Sequence, residues 1–111
     1  MTVLSEQEFR TKSVEALEDA RRALLPLADT GEGFEVELQN GVLNLVFEEP
    51  GEMKFVVSPN APVRQIWVSA MARSYKLAWA PDLGAFALDG ETLPHLLDRL
   101  ARQFLEQAGP A

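Results

Sequence analysis

The chain has 111 residues, 47% hydrophobic and 24% charged, with no cysteine and one histidine, His95. That size and balance predict one folded domain over residues 1–111 and exclude a disulfide scaffold, a zinc–thiolate site, a cysteine-ligated cluster and a thiol nucleophile. The net charge is −7, and it resides in the first half: residues 1–62 hold 12 acids and 5 bases, residues 63–111 hold 5 of each. Such a field repels nucleic-acid phosphates and attracts cations or basic protein surfaces.

In chain order, Ser5-Glu6-Gln7-Glu8 has the spacing of a capping box. Phe9, Ser13, Ala16, Leu17, Ala20 and Leu24 then recur at helical period, which predicts an amphipathic helix over about 5–25 that stops near Pro26. A loop with Gly31 and Gly33 follows. Phe34 to Gln39 alternates as a half-buried strand does, with Phe34, Val36 and Leu38 inward. Asn40-Gly41 is a hairpin turn signal, and 42–48 is the return strand. Pro50-Gly51 turns the chain into a third strand over 53–58. Ser58 to Pro62, with two prolines, reads as a rigid loop. Further strands are predicted over 64–70, 74–79 and 85–88. Asp89-Gly90 turns the chain toward Thr92, a candidate helix cap. Leu93, Leu96, Leu97, Leu100 and Phe104 form the stripe of a last helix that ends before Gly109-Pro110. Strands joined by tight turns are antiparallel, and neither helix can bury its stripe alone. The expected fold is α+β: a two-layer sandwich with the N- and C-terminal helices on one face of a single antiparallel sheet of about six strands.

Two surfaces stand out. Glu8, Glu15, Glu18 and Asp19 fall opposite the apolar stripe of the first helix, and Glu32, Glu35 and Glu37 add acids nearby. Carboxylates without thiol or imidazole are hard oxygen ligands, suited to iron, manganese, calcium or magnesium. The alternative is a solvated face laced by pairs such as Glu8–Lys12 and Glu18–Arg22. The second surface is Gln65-Ile66-Trp67-Val68-Ser69. If Ile66 and Val68 lie under the helices, Gln65, Trp67 and Ser69 point to the open face. There the indole is either a contact hot spot or is covered by a neighbour such as Tyr75 or Lys54. His95 reads as a surface histidine. No catalytic residues are assigned, because no nucleophile–base constellation is visible. The apolar runs are shorter than the roughly 18 residues a membrane span needs, and Met1 to Glu6 lacks the pattern of a signal peptide, so a cytoplasmic protein with no membrane partner is expected.

The helix–strands–helix order, Asn40-Gly41-Val42-Leu43 and Gln65-Ile66-Trp67-Val68-Ser69 together resemble the frataxin family, most closely its bacterial form. The resemblance spans nearly the whole chain, from Glu8-Phe9 to Asp89-Gly90 and Leu96-Leu97. It implies an iron-binding accessory protein that regulates iron–sulfur cluster assembly and binds the cysteine desulfurase–scaffold complex. It also implies weakly bound ferrous or ferric iron, no cluster of its own, and a monomer in the absence of metal. Any enzymatic activity it implies is limited to weak ferroxidase turnover. Matched to the family pattern, the metal positions are Glu8, Glu15, Glu18, Asp19, Glu32 and Glu35. The partner-binding positions are Gln65, Trp67, Ser69 and Tyr75. Arg21 and Arg22 stand where the late first helix of the family is commonly acidic, and Gly33 where an Asp is usual. A different class, a small acidic secretion-chaperone-like module without metal function, remains the alternative. It would be an obligate dimer with an apolar groove.

Overall fold

The computed structural model describes residues 4–29, 34–48 and 52–107. Glu32, the Gly31 and Gly33 loop, the Pro50-Gly51 turn and Gly109-Pro110 lie outside the described residues. Helix α1 (Glu6–Ala28) is followed by strands β1 (Phe34–Gln39), β2 (Val42–Phe47) and β3 (Met53–Asn60) and a 3-10 turn (Ala61–Val63). Strands β4 (Gln65–Ala70), β5 (Arg73–Ala80), β6 (Ala85–Leu88) and β7 (Glu91–Thr92) lead to helix α2 (Leu93–Gln107). The seven strands pair in chain order, every pair antiparallel.

Local chemistry explains most boundaries. The capping box at the start of α1 is complete: the Ser5 hydroxyl accepts from the Glu8 N–H at 3.1 Å, and the Glu8 carboxylate accepts from the Ser5 N–H at 2.9 Å. Two backbone donors at the helix N-terminus are thereby satisfied. Pro26 does not end α1 as its residue type predicts. It sits inside the last turn, where it removes a single N–H, and the Asp29 N–H still closes on the Leu25 carbonyl at 2.8 Å. Asn40-Gly41 has φ of 52° and 76° and Asp89-Gly90 has 51° and 83°, the left-handed pairs that two-residue hairpin turns require.

Four sequence expectations are corrected. The sheet has seven strands rather than six, because the Asp89-Gly90 turn returns the chain into β7, where Thr92 pairs with Ala87 instead of capping α2. The loop expected at Ser58 to Pro62 is strand as far as Asn60. Pro59 is admitted because it lies beyond the end of the β2 pairing, where Leu43 stands opposite Val57, and is paired with Ile66 of β4. Arg64 is not in a strand. It adopts φ of 54° as the left-handed cap of the 3-10 turn, and its guanidinium donates to the carbonyls of Ala61 and Leu4. Finally, Glu8 is engaged by Ser5, and Lys12 lies over Trp79 rather than pairing with Glu8.

Both helices cover the same sheet face. Phe9, Leu17, Ala20 and Leu24 of α1 and Leu93, Leu96, Leu97, Leu100 and Phe104 of α2 are buried against alternate residues of the strands. At one end Phe47 is the hub: its ring lies 4.8 Å from Phe34, 4.7 Å from Phe55 and 4.9 Å from Phe104, centroid to centroid. At the other end Phe86 meets Phe9 at 5.7 Å and Trp79 at 5.3 Å, both edge-on. Ser13 is the buried polar exception, and its hydroxyl donates to the Arg10 carbonyl at 3.1 Å. Among the described residues no helix is long and apolar enough to cross a membrane.

Candidate functional site

Burying one sheet face leaves the other open to solvent. The strand pleat sends Ile66, Val68 and Ala70 under the helices and Gln65, Trp67 and Ser69 outward. Trp67 keeps 37% of its surface exposed. Its neighbours across the ladder are Ser58 in β3 and Lys76 in β5. The indole N–H donates to the Gln65 side-chain carbonyl at 2.9 Å, and the Lys76 ammonium lies 4.9 Å from the ring centroid. These two contacts hold the ring in place, so little rotamer freedom remains to be lost when a partner covers it.

Tyr75, grouped with these residues on the sequence, does not join them. It pairs with Val68 and packs against the core side of the sheet. The tight turn at Met71-Ala72, with φ of 50° and 64°, sets Ala70 opposite Arg73 and thereby Lys76, not Tyr75, opposite Trp67. The side chain over Trp67 is Lys76, rather than Tyr75 or Lys54. Sequence reasoning missed Lys76. The signal was present in Leu77: an apolar residue facing inward puts Tyr75, two positions earlier, on its own side.

The acidic residues divide by what already holds them. Glu18 accepts from Arg21 at 2.9 and 2.6 Å and from Arg22 at 3.4 Å, and the Arg21 hydrogen bonds foremost bring its carboxyl down to about 2. A carboxylate clamped by two guanidiniums has little charge left for a cation. Glu8 serves the cap, and its carboxyl is lowered by the Ser5 hydrogen bonds. Asp19 has a 3.9 Å contact with Arg22. Glu15 and Glu35 make no ion pair or hydrogen bond with described residues. Glu35 and Glu37 project outward from β1, opposite Val46 and Asn44. Among the described residues no three acids or histidines converge as ligands around one point. Hard oxygen donors remain, but as a dispersed field that would hold a hydrated cation loosely and not as a chelate.

At the far side, Glu91 of β7 holds the start of α2. Arg99 donates to its carboxylate through two nitrogens at 2.8 and 2.9 Å, and His95 Nδ1 lies 2.7 Å away. The Arg99 hydrogen bonds foremost, and then His95, bring Glu91 down to about 2 from 4.5. A carboxyl depressed on folding stabilises the fold above its unfolded value near 4.5, and that stability is lost as pH falls toward about 2. Glu91→Gln should therefore cost about 1–2 kcal/mol at pH 7 in urea unfolding, with the gap to the parent narrowing below pH 4.5. A gap that does not change with pH would refute this role for the charge.

A helix pair on one face of an antiparallel meander, an open face centred on a braced tryptophan, and carboxylates along α1 and β1 define a small sandwich built to present its sheet. Residues 2–108 match the family model described as the frataxin-like domain. The chain is 32% identical over 76 residues to the iron-sulfur cluster assembly protein CyaY of Cupriavidus metallidurans, covering 68% of this chain and 67% of that one. It is 35% identical over 80 residues to the protein of the same name from Pseudomonas syringae pv. tomato, covering 69% of each. The frataxin of Psychromonas ingrahamii superposes with a TM-score of 0.64 at 15% identity, over 95% of this chain and 92% of that one, which is a likeness of fold. The chain belongs to the frataxin family, of the bacterial type.

Proposed function

We propose that this chain acts in iron–sulfur cluster assembly as an accessory protein that docks on the cysteine desulfurase–scaffold complex through the open sheet face. The observation that carries the proposal is Trp67: a solvent-facing indole, braced by Gln65 and Lys76, on a sheet face that the protein's own helices do not cover. Large aromatics held rigidly at a surface supply much of the energy of protein contacts. The names of the two bacterial relatives support the pathway, and family membership displaces the secretion-chaperone alternative.

Gln65, Trp67, Ser69 and Lys76 form the docking surface in this proposal. Iron enters as cargo. Glu15, Asp19 and Glu35, among the described residues the predicted metal positions least engaged by other groups, would draw hydrated ferrous iron weakly by charge. The same acidic edge would speed encounter with basic partner surfaces and orient them.

The test is a reconstituted assembly reaction holding cysteine desulfurase, scaffold, cysteine and ferrous iron, followed by the absorbance of the growing cluster. One equivalent of this chain should change the initial rate, and the Trp67→Ala variant should return it toward the rate without the chain. A rate that ignores the protein would contradict the proposal.

A further inference from the structure

A second tryptophan sits in a different setting. Between α1, the β5–β6 connection and the first turn of α2 lies a cleft of about 160 Å³, lined among others by Lys12, Glu15, Asp19, Trp79, Phe86 and Pro94. Its back wall is Trp79, half-buried and held edge-on against Phe86. A cation already occupies the ring: Lys12 Nζ lies 5.5 Å from the indole centroid. Two carboxylates stand beside it on the same helix. Glu15 is without an ion pair or hydrogen bond among the described residues, and Asp19 has only its 3.9 Å contact with Arg22. Gly84 also lines the cleft, and a Cβ there would meet nothing within 4 Å.

We infer that this cleft receives one arginine side chain from a partner protein, with Lys12 as the internal cation that it displaces. The volume sets the scale, since pockets for drug-sized ligands and cofactors run from about 300 Å³ upward and this one is smaller. The chemistry selects the occupant. An aromatic face attracts a cation, apolar walls suit an alkyl stem, and two carboxylates at the rim suit a donor fork. Arginine meets all three conditions, because its flat guanidinium stacks on an indole and still offers its edge to carboxylates. Lysine is the weaker occupant, and the exposed stem of Lys12 can swing out to solvent. The cleft is separate from the Trp67 face, and the inference stands without the assembly role proposed above.

The test uses the full chain, labelled with 15N and held at low salt. It is titrated with the capped tripeptide Gly-Arg-Gly and with the same peptide carrying citrulline, which keeps the shape and removes the charge. The arginine peptide should shift the Trp79 indole N–H together with the amides of Glu15, Asp19 and Gly84, at millimolar concentration, and the citrulline peptide much less. Lys12→Met should tighten binding by about threefold, and Glu15→Gln combined with Asp19→Asn should weaken it by about threefold or more. Equal shifts from both peptides would overturn the inference. So would a Trp79 signal that stays still at tens of millimolar, or shifts centred on Trp67. Trp79 packs on the core side of the sheet and Trp67 faces the open side, so failure here leaves the open-face proposal untouched.

Discussion

Replacing Trp67 with alanine should weaken binding to the cysteine desulfurase–scaffold complex by about 2 kcal/mol or more, roughly thirtyfold in Kd. The magnitude follows from how the ring is held. A flexible exposed side chain loses rotamer entropy on binding, but this indole is already fixed by Gln65 at one edge and Lys76 over its ring. The stability of the free protein should change little, because the side chain lies on the solvent side of β4, away from the helices. Calorimetric titration of parent and variant gives the affinity, and urea unfolding of both gives the control. Lys76→Ala should have a smaller effect in the same direction, since it removes the brace and leaves the ring. A Trp67→Ala variant with undiminished affinity would show that the partner docks elsewhere.

The largest loss of stability is expected from Phe47→Ala, at about 3–5 kcal/mol. Phe47 is fully buried and its ring touches Phe34, Phe55 and Phe104, so truncation opens a cavity where β1, β2, β3 and α2 meet. Three aromatic contacts are lost at once, and the rigid rings around the gap cannot collapse into it. Domains of this size have only about 5–15 kcal/mol of net stability, so the variant should be near the limit of folding at 37 °C. Urea unfolding followed by far-UV circular dichroism measures the difference. A loss below about 1.5 kcal/mol would mean that this end of the core repacks.

Much of the fold is legible in the sequence because several local signals agree. Ser5 and Glu8 mark the start of α1, Asn40-Gly41 fixes the first hairpin, and alternation from Phe34 to Leu38 assigns the buried face of β1. The expectations that failed did so where tertiary context overrides local type. Pro26 costs α1 one hydrogen bond close to its end, and the turn beyond it still closes through the Asp29 N–H to the Leu25 carbonyl. Proline breaks a strand only where a neighbouring carbonyl needs an N–H at that position, and at Pro59 the β2 pairing has already ended. Met71-Ala72 carries no glycine or asparagine, so the turn that sets Lys76 opposite Trp67 leaves no mark in the sequence, whereas the inward face of Tyr75 follows from its alternation with Leu77. The candidate site was half legible. Alternation exposes Trp67 and Gln65, but the brace from Lys76 depends on cross-strand register. Likewise Glu18 and Glu15 look equivalent on a helical wheel, and only the reach of Arg21 and Arg22 separates the clamped carboxylate from the open one.

The open sheet face around Trp67, and not the outer face of α2, is the surface proposed to dock on the assembly machinery. The most direct test is an NMR map of the 15N-labelled chain with unlabelled cysteine desulfurase and scaffold added below equivalence. Signals of Gln65, Trp67 with its indole N–H, Ser69 and Lys76 should broaden first, while those of Leu96 and Leu100 in α2 persist. Broadening that begins on α2 and spares Trp67, or a spectrum unchanged by the complex, would contradict it.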